Sequence, residues 1–339
     1  MRCFIYIAIA AAAAVLFISC NERENGEIHK ILTQWDNLLE KNPDAISDSL
    51  KTINPQTLSR ENRAYYNLLK TISDDKTYFE FRNDSLINRV VDYYHLHEPY
   101  SNNYIRALTY KGIVRTRMGI TDSTVYEPLK KADHIFHTQK NPDPATGYIL
   151  HYFMGNTHYY NGNFELAGKY FQESLHNAKL KNDSLHIFDA YLAIYWNKMA
   201  QSDFDTGKKY LDSLSFFFDK ITDKNYLILN AQSVYFEATK EFDKALDCDK
   251  KLLTLTKSQK EDIDFSSLYF AISTRYSTLN QLDSAMLYGQ IAIESIVDEN
   301  KKENYLFYDN VANIAEKQQN YFLANTYRQK AFDLYEKSV

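Results

Sequence analysis

Residues 155–164 read Gly155-Asn156-Thr157-His158-Tyr159-Tyr160-Asn161-Gly162-Asn163-Phe164, and Glu165-Leu166-Ala167-Gly168-Lys169-Tyr170-Phe171 follows. Two antiparallel helices approach closely only where a side chain at their crossing is small, and Gly155 and Ala167 supply such places. Gly162-Asn163-Phe164 makes the turn between them, and Phe171 is the aromatic that fills the gap. The same turn returns along the chain. Phe164, Phe204, Phe242, Leu282 and Tyr321 hold equivalent places at spacings of 38 to 40 residues. Three residues after each stands Ala167, Gly207, Ala245, Ala285 or Ala324. Gly112 and Gly119, seven apart like Gly155 and Gly162, mark an earlier copy. Self-similarity at such a period is the signature of a stacked repeat architecture.

The stretches between turns are helical. Leu229, Ser233 and Phe236 share a face at i, i+4 and i+7. The chain has 339 residues but only 9 Gly and 6 Pro, which disfavours a β-sandwich with its many breaker-rich turns. At 45% hydrophobic and 24% charged it excludes collagen-like and disordered readings. The periodicity predicts about sixteen helices in eight antiparallel pairs. Before residue 100, Asn42-Pro43 separates helical stretches 27–41 and 44–53, and a loop over 74–83 separates 59–73 from 84–97. Asn83-Asp84-Ser85-Leu86 returns as Asn182-Asp183-Ser184-Leu185, with Asp or Ser placed to cap a helix.

The unit around Gly155 resembles the tetratricopeptide repeat: Ala167 and Phe171 match its A-x3-F element, and Gly155 and Gly162-Asn163-Phe164 its crossing and turn. His151 stands at the family's Trp position and His158 at its Tyr position. The period exceeds the roughly 34 residues of the standard repeat, which lengthens helices or loops. The resemblance implies an all-α fold, a right-handed α-solenoid of antiparallel helix pairs forming a tetratricopeptide-like superhelix. It divides the chain into divergent helix pairs over 27–99 and repeats over 100–339.

Met1-Arg2, the apolar run 3–18 and Ser19-Cys20 ahead of Asn21-Glu22-Arg23-Glu24 describe a secretory signal. The run is shorter than the ~20 apolar residues of a spanning helix. Phe17-Ile18-Ser19-Cys20 resembles the lipobox of bacterial lipoproteins, with Phe17 where that family prefers Leu. The resemblance implies a signal peptide over 1–19, lipidation of Cys20, a tether over 20–26, and a membrane anchor at the cell envelope, in the outer membrane. The alternatives are an uncleaved anchor and an ordinary signal. Cys3 would leave with the signal, so Cys248 would stand alone, as a small buried hydrophobe with no disulfide partner.

A net charge of −5 and only short basic runs argue against a nucleic-acid partner. The sequence shows no phosphate loop, H-E-x-x-H or G-x-S-x-G, so no catalytic residue, cofactor or enzyme activity is expected. His134 and His137, at i and i+3, share a helix face and could grip a metal; we read them as surface histidines and expect no metal.

The tetratricopeptide resemblance further implies that positions of each first helix line a concave groove for a protein or peptide partner. Here they carry Tyr152, Asn156, Tyr159, Trp196, Met199, Asn230, Phe270, Thr274 and Asn313. Aromatics offer contact area at low entropic cost, and Asn can hold an extended backbone. A lipid-anchored, repeat-bearing chain is also similar to ligand-sensing or glycan-binding accessory lipoproteins, and to the sensor halves of membrane-tethered transcription regulators. Those regulators continue into a membrane helix and a helix-turn-helix domain, and neither follows the last repeat here. Phe332 and Tyr335, on the last helix, are apolar residues that a partner would cap.

Overall fold

The computed structural model describes residues 25–258, 265–298 and 301–338, so the expected signal and Cys20 lie outside the described residues. Among those residues the chain forms sixteen α-helices and no strand. It divides into two compact units, the first ending at Ala190 and the second beginning at Tyr191. Unit 1 contains α1 (25–39), α2 (Pro43–Lys51), α3 (Arg60–Lys76), α4 (Ser85–His97), α5 (Asn102–Arg117), α6 (Ser123–Thr138), α7 (Pro144–Tyr160) and α8 (Phe164–Lys181). Helix α9 (Ser184–Ala200) contributes residues to both units. Unit 2 continues with α10 (Phe204–Ser215), α11 (Asn225–Ala238), α12 (Phe242–Ser258), α13 (Ser266–Thr278), α14 (Leu282–Glu294), α15 (Tyr305–Lys317) and α16 (Tyr321–Ser338). No helix among the described residues is long and apolar enough to cross a membrane.

Six turns of one design join the helices of a pair; in the earliest, between α5 and α6, Gly119 has a φ of 77° and the Ile120 N–H closes back on the Arg115 carbonyl at 3.1 Å. In the others, Gly162, Ser202, Lys240, Asn280 and Gln319 all have φ between 57° and 73°, the left-handed region. The following N–H closes back five residues: Asn163 to the His158 carbonyl, Asp203 to Lys198, Glu241 to Phe236, Gln281 to Tyr276 and Asn320 to Ala315, at 2.7–3.0 Å. This closure satisfies the orphan carbonyls of a helix end. Asn163, Asp203 and Asn320 then cap the next helix, accepting from the N–H groups of Leu166, Thr206 and Leu323. One residue therefore ends a helix and starts its partner, which keeps the pair tight.

The small-residue positions lie inside: Ala167, Ala245 and Ala285 are fully buried, and Ala324 and Gly207 nearly so. A methyl group at Gly155 would overlap the ring of Phe171, so this crossing has no room for a side chain. Leu229 and Ser233 are buried and Phe236 is half-buried, the inward face expected for α11. Many tyrosines are core residues whose hydroxyls find carbonyls: Tyr66 donates to Leu50 at 3.0 Å and Tyr195 to Ala231 at 2.6 Å.

The repeated tetrapeptide behaves differently at its two sites. Asp183 accepts from the His186 N–H, as a cap should. Asp84 makes no cap bond, because Arg115 Nε at 2.8 Å and Asn88 Nδ2 at 2.8 Å draw its carboxylate away, and Asn83 takes the Ser85 N–H instead. Helix α3 also runs three residues into the loop expected over 74–83. Its last turn is held by Thr77, whose N–H and hydroxyl both donate to the Ser73 carbonyl.

Candidate functional site

A cleft of about 460 Å3 opens in unit 1 on the first helices of four successive pairs, α1, α3, α5 and α7. Asp36 comes from α1 and Glu40 from the turn just after it, Asn102 and Arg106 from α5, Asp143 and Thr146 from the start of α7, and Lys181 from the end of α8. Arg106 and Asp36 form a two-pronged ion pair at 2.6 and 2.7 Å, and the Tyr65 hydroxyl donates to the same carboxylate at 2.7 Å. Burial works against the Arg106 charge, but Asp36 outweighs it and raises its pKa. Burial likewise opposes the Asp143 charge. The Thr146 hydroxyl and N–H, the Asn102 amide and the Ala145 N–H outweigh it and hold the carboxyl below its ordinary range. Asn102 Oδ1 is buried with no hydrogen-bond partner. Glu40 accepts from Lys76 Nζ at 2.8 Å and faces His186 Nε2 at 3.4 Å. These two partners overcome burial and lower its carboxyl to about 2.

Unit 2 has a second cleft of about 460 Å3, between the first helices α13 and α15. Thr274, Ser277, Asn310, Asn313 and Lys317 line it. Asn310 donates to Ser273 Oγ at 2.9 Å, and Lys317 Nζ to Ser277 Oγ at 2.9 Å. Asn313 donates to Asp309 and accepts from Arg328, both at 3.0 Å.

All nine residues expected in a groove retain some exposure. Tyr152, Asn156 and Tyr159 are half-buried on α7, Trp196 and Met199 on α9, and Phe270 and Thr274 on α13. Asn230 on α11 and Asn313 on α15 are exposed. Tyr152 packs against Tyr148 and Phe171, and burial, reinforced by Asp189, pushes its hydroxyl up to about 12 although Asn156 hydrogen-bonds it. Phe270 meets Phe307 edge-on at 5.0 Å. Thr274 and Asn313 meet in the unit 2 cleft, whereas none of the nine lines the cleft of unit 1. The charged lining there escapes a reading by repeat position, because Asp36 and Arg106 stand 70 residues apart. One signal was present: Arg106 interrupts the otherwise apolar Tyr104-Ile105-Arg106-Ala107-Leu108.

The remaining candidates sort by burial. Cys248 is buried, and burial raises its thiol to about 11, which leaves no thiolate nucleophile at neutral pH. His134 is exposed, and His137 on the same helix turns instead toward His151 and Glu173.

No protein-family model and no curated protein matches the sequence. Solved structures do match in fold. The apo form of the quorum sensor NprR from B. thuringiensis aligns over 91% of this chain and 99% of its own, at 15% identity and a TM-score of 0.64. The apo form of RapI aligns over 91% and 98%, at 12% identity and a TM-score of 0.66. A Rap protein complexed with competence and sporulation factor aligns over 92% and 98%, at 10% identity and a TM-score of 0.57. With the repeated turns and buried small residues, these likenesses make the fold an all-α, tetratricopeptide-like helical solenoid.

Proposed function

We propose that this protein is a non-enzymatic scaffold that binds a protein or peptide segment on its first-helix surfaces, held at the cell envelope by a lipid on Cys20. The carrying observation is the unit 1 cleft, which α1, α3, α5 and α7 build together and line with amide, carboxylate and guanidinium groups. An extended peptide presents N–H and C=O groups at regular intervals. Asn102 Oδ1, buried and without a partner, is an acceptor suited to one such N–H. The Thr274–Asn313 cleft offers the same chemistry in unit 2. The Rap protein in complex with competence and sporulation factor lends support, since a similar fold there holds a partner. The quorum sensor NprR supports a second reading, in which the bound segment is a signal that this chain senses.

Affinity capture from envelope extract tests the proposal. Asn102→Ala with Lys181→Ala, and separately Tyr152→Ala with Trp196→Ala, should each weaken retention of a discrete protein while circular dichroism stays helical. Capture unchanged in both double variants would remove the first-helix assignment. Incorporation of an alkyne-tagged fatty acid, lost in Cys20→Ala, is expected of the anchor.

A further inference from the structure

Three consecutive helices of unit 1 turn two imidazoles and two carboxylates toward one point. Asp133 and His137 lie one turn apart on α6, His151 on α7 and Glu173 on α8, and their ligand atoms all fall within 4.8 Å of one another. His151 Nε2 is 3.0 Å from Asp133 Oδ1 and 3.3 Å from Glu173 Oε2, and His137 Nε2 is 3.5 Å from the same Glu173 oxygen. We propose that this cluster is a divalent-cation site of two nitrogen and two oxygen donors, suited to Zn2+.

The spacing has the right scale. A cation about 2.1 Å from each of four tetrahedral ligands sets those ligands about 3.4 Å apart. The hydrogen bonding points the same way. His137 gives its Nδ1–H to the Asp133 carbonyl at 2.9 Å, so in the neutral ring Nε2 presents a lone pair to the Glu173 carboxylate. Acceptor then faces acceptor, and only a cation between them, a proton or a metal ion, reconciles the two. Donation of the second ring nitrogen to a backbone carbonyl is also how metal-bound histidines are held.

The rest of the cluster is packed in place. His151 is 1% exposed, with Phe136 edge-on at 5.2 Å and Tyr170 stacked at 6.2 Å. Asn177 Nδ2 donates to the Glu173 carbonyl at 2.9 Å and faces His151 Nδ1 at 3.3 Å, an arrangement that places the ring proton on Nε2, toward Asp133. Loading shifts that proton to Nδ1, and the Asn177 amide, kept as a donor by the Glu173 carbonyl, swings away from the ring; the ring stays neutral. Gly147 makes room for Asn177, since a Cβ there would stand 2.8 Å from the amide carbon. His137, 54% exposed, leaves an entry path from solvent. The bound ion would clip α6, α7 and α8 together, fastening two helix pairs.

Titration of the tag-free full chain with Co2+, followed by visible absorption, and with Zn2+ against a chromogenic chelator, tests the site. One equivalent should bind, with the intense Co2+ spectrum of four-coordination. His137→Ala, at an exposed position that leaves the fold intact by circular dichroism, should weaken binding about 100-fold. His134→Ala, one turn away and outside the cluster, should bind as the parent does. Zn2+ should raise the melting temperature of the parent but not of His137→Ala. Absence of stoichiometric binding, or equal affinity in His137→Ala and the parent, would overturn the site.

Discussion

At the scale of the residue, Glu40 shows how partners decide a charge. Burial alone would raise its carboxyl, yet His186 and Lys76 bring it down to about 2 from an ordinary 4.5. A carboxyl lowered by folding stabilises the folded state fully above its unfolded value. That contribution fades as the pH falls from about 4.5 toward 2. More than a third of the Glu40 side chain is exposed, so solvent screening reduces the effect to about 1 kcal/mol. Glu40→Gln should therefore lower stability by about 1 kcal/mol at pH 7 and leave it unchanged near pH 2, read from urea denaturation across that range. Arg275 is the stronger case. Its guanidinium is buried, with Nε 2.8 Å from the buried Asp249 and Nη2 2.9 Å from Glu237. Burial raises the Asp249 carboxyl, with Ser233 and Arg275 working against that rise.

At the scale of the element, the turn governs. Ser202, Lys240, Asn280 and Gln319 adopt a left-handed conformation that Gly162 adopts without steric cost. Sequence similarity to the 155–171 unit locates these turns, but it does not show that a lysine or a glutamine takes the glycine's backbone angles. Tertiary packing imposes them, because the second helix must fold straight back onto the small residue three positions into it. Lys240→Gly should raise unfolding free energy by about 1 kcal/mol, and Gly162→Ala should lower it by a similar amount, with helix content unchanged in both. A null result at Lys240 would mean that its side chain contributes contacts that offset the strain.

At the scale of the whole molecule, helices that pack mainly on their neighbours in the stack distribute stability locally, with Asp36–Arg106 and Glu40–His186 as longer-range ties. The two units have separate cores, one around Leu68, Ile105 and Leu150 and the other around Ile272, Ala285 and Ile314. Arg275→Leu leaves Asp249 buried without its cation, a change that typically costs about 3–5 kcal/mol. Hydrogen exchange should show faster opening of α11 to α14 in that variant and parental protection in α3 to α6. Uniform loss of protection would show that the chain unfolds as one cooperative body.

The sequence by itself determined the helical repeat. Small residues at Ala167, Gly207, Ala245, Ala285 and Ala324 recur every 38 to 40 residues and are buried, because close approach of two helices favours small side chains at the crossing. It also singled out Thr274 and Asn313, which meet in one cleft since equivalent positions of neighbouring first helices are adjacent in a stack. Tertiary structure alone decided which polar groups meet across long separations. Asp36 finds Arg106, Glu40 finds His186, and His137 finds His151 and Glu173 rather than His134. Periodicity reports which face of a helix is turned inward. It carries no information on which inward or half-buried charge of a distant helix arrives opposite, and that pairing depends on how each successive pair is packed on the last.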